Sequence, residues 1–284
     1  MKTGKTVAVA LTMIVGAPPG GTAQVVLERP TAAVWHEASQ NWFVSNMAVP
    51  PMATGARGWI SRVPRRDVKV EPVFVDGLQA PRGIATAGDM LYVAEVEAVA
   101  VVSVSRRVLE RRQPISKARR LSGIAVDGEG NIYVSDLLTD TIHLLPRAGP
   151  PQVFLKSKDL AGPNGLWVDG TDLLVASWGP VTDGATLQTR GPGRLQRIDL
   201  KTRRLKAFDT PAPTGRLAGV VRSPRGLVVT DAGTGRVLLW SVDGKVTTVR
   251  EGLKECGMPG VNAEGGILAV PETGANVVVF VPLR

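Results

Sequence analysis

One cysteine and two histidines in 284 residues remove several kinds of chemistry at the outset. Cys256 has no partner for an internal disulfide and reads as a buried small hydrophobe rather than a reactive thiol. His36 and His143 stand far apart in the sequence, with no zinc-binding histidine pair, Gly-x-Ser-x-Gly elbow or phosphate loop. Gly191-Pro192-Gly193 is a turn. No nucleophile–base pair can be named, so no catalytic residue is assigned. Helix signatures are scarce, while 32 Gly and 21 Pro are spread along the whole chain as turn punctuation. Stability therefore has to come from packing, and 44% apolar residues provide for a sizeable core.

Long apolar runs are also missing. The run over residues 7–17 follows Lys2 and Lys5 and precedes Gly21-Thr22-Ala23. That is the layout of a secretory signal peptide with cleavage after Ala23. The run is about half the ~20 residues that span a bilayer, and no other segment is longer, so no transmembrane segment is expected. The sequence thus divides into a signal peptide over 1–23 and one domain over 24–284, periplasmic or secreted. Formal charge is +9, of which the leader lysines supply two, leaving +7. Such a surface attracts nucleic acid, anionic lipid or acidic polysaccharide, and export makes nucleic acid the least suitable partner.

What the chain has in plenty is repetition. A small anchor residue, a short apolar strand, a turn and a stronger apolar strand ending in a polar residue recur six times. The anchors are Ala32, Gly83, Gly123, Gly165, Gly219 and Gly260, and their second strands are NWFVSN, MLYVAE, NIYVSD, LLVASW, LVVTD and ILAVPE. Two further strand-like runs follow in most copies, and turns such as Asp127-Gly128-Glu129-Gly130-Asn131 join them. Four short strands in units of about 40–45 residues predict an all-β, six-bladed propeller. Only three strands fit after Gly260, and Val25-Val26-Leu27 supplies a fourth at the other end. The N-terminal strand is thus expected to complete blade six and close the ring, removing an exposed edge.

Residues 123–136, GIAVDGEGNIYVSD, resemble an NHL repeat. Pro163-Asn164-Gly165, followed by a strand and Ser177-Trp178-Gly179, resembles the gluconolactonase, regucalcin and luciferin-regenerating group of propellers. In the hydrolases of that group a divalent cation is held by a Glu of blade one, an Asn from each of blades three and four, and an Asp of blade five. The matching positions here are Thr31, Ser122, Asn164 and Ala218, so only Asn164 is retained and both carboxylates are gone. The resemblance implies Ca²⁺ or Zn²⁺ as the cofactor to consider.

The second strands end at the same top face, at Asn46, Glu95, Asp136, Trp178, Asp231 and Glu272. Two readings stand for these acids: a substitute cation site around Asn164, or caps on the backbone of the turn between strands two and three. Thr31, Arg82, Ser122, Asn164 and Trp178 are expected to form a polar channel mouth with one cation and one aromatic wall. That mouth suits a small anionic or hydroxylated ligand, unless Arg82 pairs with Glu95 or Asp136 and merely fills the channel. Two long top loops, over residues 48–58 and 179–194, are candidates to cover a ligand.

Arg65, Arg66, Arg106, Arg107, Arg147, Lys201, Arg203, Arg204 and Lys245 fall in bottom turns, with Arg111, Arg112, Arg119 and Arg120 following on the next strand and loop. A basic bottom face would contact an anionic surface, or its hairpin tips are simply solvated. The reading that results is an exported, non-catalytic propeller binding a small molecule or protein partner at its top face. The alternative is a divalent-metal-dependent lactone or ester hydrolase of the gluconolactonase type with an altered metal site.

Overall fold

The six repeats build six antiparallel sheets, the blades of a closed propeller: five are four-stranded, blade six taking its fourth strand from the N-terminus, and blade four gains a short fifth strand. The computed structural model describes residues 23–48, 57–65, 69–206, 208, 212–262 and 264–283. Residues 1–22, where a leader is expected, and most of the blade-one top loop lie outside the described residues. Blade three shows the plan: Leu121–Val126, Ile132–Asp136, Thr141–Leu145 and Gln152–Lys156 pair in chain order from the axis outward. The innermost strands of the other blades are Pro30–His36, Ile84–Ala87, Pro163–Asp169, Leu217–Ser223 and Gly260–Val261. Every repeat read from the sequence is therefore one blade.

Ring closure is as expected. Ala23–Val26 pairs antiparallel with the third strand of blade six, Val277–Pro282, in the register Val25↔Val278 and Val26↔Val277. Leu27 follows this strand rather than belonging to it, and is buried.

Blades stack face to face, which explains why their central strands carry unbroken apolar runs instead of alternating ones. All five residues of Ile132–Asp136 and of Thr141–Leu145 are buried, whereas the outermost strand Val108–Pro114 is mostly exposed or half-buried. Six large apolar clusters fill the six gaps between neighbouring blades. Phe43, Ile60, Leu91 and Val93 join blades one and two, and Trp42, Val44, Ala269 and Val278 join blades six and one.

The anchor glycines exist because adjacent inner strands almost touch at the axis. A Cβ on Gly123 would sit 2.0 Å from the carbonyl oxygen of Asn164, and one on Gly83 would sit 2.4 Å from that of Ser122. No side chain fits there. Strand-two hydroxyls latch the same places: Ser45 Oγ donates to Arg82 O at 2.5 Å, Ser135 Oγ to Asn164 O at 2.6 Å, and Thr230 Oγ1 to Gly257 O at 2.9 Å.

The insertion in blade four is a hairpin. Val181–Asp183 pairs with Gln188–Thr189, and Asp183 caps the turn through Ala185 N at 2.8 Å and Thr186 Oγ1 at 2.8 Å. At the bottom face, basic residues are laced to acids and rings. Arg65 bonds Glu264, Arg106 bonds Glu110, Arg107 bonds Glu71 and stacks on Phe74, and Arg203 stacks on Phe154. Arg112, Arg119 and Arg120 do not belong to that face. The strand Val108–Pro114 runs upward, bringing Arg112 to Glu95, while Arg119 and Arg120 bond Asp136 through their backbone. Among the described residues no helix is long and apolar enough to cross a membrane.

Candidate functional site

The channel through the ring has two different ends. Its lower part is a cavity of about 210 Å³ walled by inner-strand residues such as Val34, Ile84, Trp167, Val221 and Val261. Its upper part opens into a larger cavity of about 580 Å³ on the top face. All five residues expected to form a channel mouth, Thr31, Arg82, Ser122, Asn164 and Trp178, line this upper cavity.

Their polar atoms are not equally available. Thr31 Oγ1 donates to Pro81 O at 3.0 Å, bridging blades one and two. Ser122 Oγ donates to Asn164 Oδ1 at 2.5 Å, and Asn164 Nδ2 donates to Leu217 O at 3.2 Å, linking blades three, four and five. These three side chains brace the mouth while lining it. The half-buried Trp178 donates its indole N–H to Leu187 O at 3.2 Å, tying down the tip of the blade-four hairpin. Leu187 and Thr186 thereby border the cavity, so the inserted loop does overhang the mouth.

Three further arginines line the cavity beside Arg82: Arg29, Arg120 and Arg216. Each stands three residues before its anchor, in blades one, three and five, and the same position in blades two, four and six holds Ala80, Gly162 and Gly257. Alternate blades thus present a guanidinium to the axis. The signal lies in the repeat itself, three residues before each anchor rather than next to it. Arg82 and Arg120 are 5% and 7% exposed. Burial, and secondarily the charge of Arg120, pushes Arg82 down to about 9, and burial pushes Arg120 down to about 10. Both remain cations at neutral pH. Glu255, exposed at the rim, is the one acid among the described residues lining the cavity.

The strand-two acids do not converge on Asn164. Each instead accepts a backbone N–H of the chain that leads into its own blade. Glu95 takes Gln79 N at 2.8 Å and the Arg112 Nε at 2.8 Å. Asp136 takes Arg119 N at 2.9 Å and Arg120 N at 3.0 Å. Asp231 takes Arg216 N at 3.1 Å, and Glu272 takes Lys254 N at 2.7 Å. The capping target differs from the turn between strands two and three expected from the pattern. Antiparallel pairing lays the end of strand two beside the start of strand one, so the incoming chain is nearer; Asp231 also reaches the following turn, through Gly233 N at 3.0 Å. Asn46 differs again, donating to Val44 O and Ser61 Oγ, both at 2.9 Å. Burial would raise the Asp136 carboxyl, but the His143 imidazole 3.9 Å away and the backbone N–H groups of Arg119 and Arg120 outweigh it and hold the group below its ordinary value. Among the described residues no three His, Cys, Asp or Glu side chains lie together as a metal site.

Two other residues take structural places. His36 lies at the bottom, between Ser39 Oγ and Gly88 O at 2.8 Å each. Cys256 is buried in the cavity wall, where desolvation pushes its thiol up to about 12. An inert thiol is the consequence.

No family model matches the sequence, and no curated protein matches it. Solved structures do match in fold. A gluconolactonase from Xanthomonas campestris superposes with a TM-score of 0.65 at 15% identity, over 93% of this chain and 90% of that one. Virginiamycin B lyase from Staphylococcus aureus gives 0.59 at 11% identity, over 93% and 99%. A chain of a nidogen/laminin complex gives 0.62 at 18% identity, over 81% and 87%. At these identities the likeness is one of architecture, a six-bladed propeller shared by proteins of unlike activity.

Proposed function

We propose that this chain is an exported, non-catalytic propeller that binds a small molecule in the cavity at the top of its channel. Export rests on the leader layout in residues 1–23. The binding reading is carried by one observation: a concave site of about 580 Å³, within the range of small-molecule pockets, combines apolar walls with convergent polar groups. Concavity favours a small molecule over a protein partner. The nearby acids are engaged in holding loops, and no nucleophile–base pair faces the cavity among the described residues.

A metal-dependent hydrolase is the competing reading, and its cation is poorly matched by the residues present. At the four positions where the resemblance puts ligands, Thr31, Ser122 and Ala218 supply no charge. The remaining amide oxygen, on Asn164, already accepts the Ser122 hydroxyl. A hard cation needs several oxygen ligands, normally with charge among them, and four guanidiniums around the mouth repel it.

Thermal unfolding with Ca²⁺, Zn²⁺ or Mn²⁺ against a chelator, together with a lactone and ester panel, decides between the two. The binding reading expects no metal-dependent rise and no turnover. A rise of several degrees that disappears in Asn164→Ala, accompanied by hydrolysis, would establish the hydrolase instead.

A further inference from the structure

The upper cavity has the wrong charge for a cation and the wrong walls for a bare ion. Among the described residues its lining carries four arginines and one acid, Glu255; Arg82 and Arg120 are the two most buried of the four, and the charge of Arg120 adds to burial in disfavouring that of Arg82. Arg29 adds a buried Nε with no hydrogen-bond partner among the described residues. The rest of the lining is apolar: Met47, Met258, Trp178 and Leu187 stand around the same space. An inorganic oxyanion would fill a small part of about 580 Å³ and leave those walls unused. Below the mouth the channel turns apolar, so a charged head has no favourable place farther down.

We propose that the cavity takes a small amphipathic organic anion, with its oxyanion head between Arg82 and Arg120 and its apolar body against Met47, Met258 and Trp178. This deepens the binding reading and rests on it. Guanidinium forks suit a planar carboxylate, which they hold by paired, charge-assisted hydrogen bonds. Methionine side chains adapt to bodies of varied shape. The fixed partners of Thr31, Ser122 and Asn164 keep the floor rigid, which limits the ordering cost of binding.

Calorimetric titration of the protein with 4-phenylbutyrate, its neutral amide 4-phenylbutyramide, and inorganic phosphate tests the proposal. The carboxylate is expected to bind at least tenfold more tightly than either the amide or phosphate, and to weaken as NaCl is raised from 50 to 500 mM. Arg82→Gln and Arg120→Gln should each remove tenfold or more of the carboxylate affinity and leave the amide unchanged, with Arg120→Lys retaining part of the preference. Equal affinity for the carboxylate and the amide would overturn the anion and leave the binding reading standing. Equal affinity for phosphate and 4-phenylbutyrate would overturn the apolar body. Absence of heat with all three at millimolar concentration would overturn both this proposal and the reading beneath it. Should the glutamine variants fail to fold, the carboxylate-to-amide ratio and the salt dependence of the wild type still decide.

Discussion

The carboxylate of Asp136, at the end of a strand in blade three, accepts the backbone N–H of Arg120 at 3.0 Å, so an acid fixes the residue whose guanidinium lines the channel mouth. Asp231 holds Arg216 N at 3.1 Å in blade five in the same way. These two acids thus hold the backbone of two cavity arginines.

Replacing Asp136 by Asn should expose that dependence. The carboxylate accepts two N–H groups, and an amide offers one acceptor oxygen while turning an N–H toward the other donor. Asp136→Asn is expected to cost about 1–3 kcal/mol of stability, read by denaturant unfolding. The effect has a pH signature. Because the folded carboxyl is held below its ordinary value, its contribution is complete above the unfolded value of about 3.9 and fades as pH falls through the lower folded value. The gap between wild type and variant should therefore close in acid, and a gap that stayed constant would contradict the role.

Two glycine substitutions separate anchor from turn. In Gly123→Ala the new Cβ meets the Asn164 carbonyl, a backbone atom that cannot step aside, so at least ~2 kcal/mol is lost. In Gly128→Ala the Cβ meets open space, and stability should change by no more than about 0.5 kcal/mol. Similar losses in the two variants would mean that close approach at the axis is not what demands the glycine.

Ring closure can be tested by removing the chain through Val26. The half-buried Val25 and Val26 would be lost, and the strand Val277–Pro282 would become an open edge. The truncated protein should lose ~2 kcal/mol or more and gain a tendency to associate, seen by light scattering. An unchanged unfolding midpoint would show that the N-terminal strand is dispensable.

How far the sequence could be read follows from these same residues. The anchors were legible because a steric demand at the axis repeats six times and leaves almost only glycine, as at Gly83 and Gly123. Closure was legible because a blade with three strands at one end needs a fourth from the other. Thr31, Arg82, Ser122, Asn164 and Trp178 do line one cavity, since repeat position determines place around the ring. What was missed depended on contacts between positions rather than on position alone. The incoming loops capped by Glu95 and Asp136 become neighbours only through antiparallel pairing. Arg29, Arg120 and Arg216 required comparing the third residue before each anchor across alternate blades. The hairpin of Val181–Asp183 and Gln188–Thr189 is too short to show strand periodicity. Arg112, which follows the bottom turn on the next strand, is carried by that strand to Glu95 at the top.

The measurement that tests the central claim most directly is a crystal structure of the protein grown with both 4-phenylbutyrate and Mn²⁺, with the metal located by its anomalous scattering. The account predicts a carboxylate within hydrogen-bond distance of Arg82 and Arg120 and no manganese at the channel mouth. Manganese bound to Asn164, with the carboxylate absent from the arginines, would contradict it.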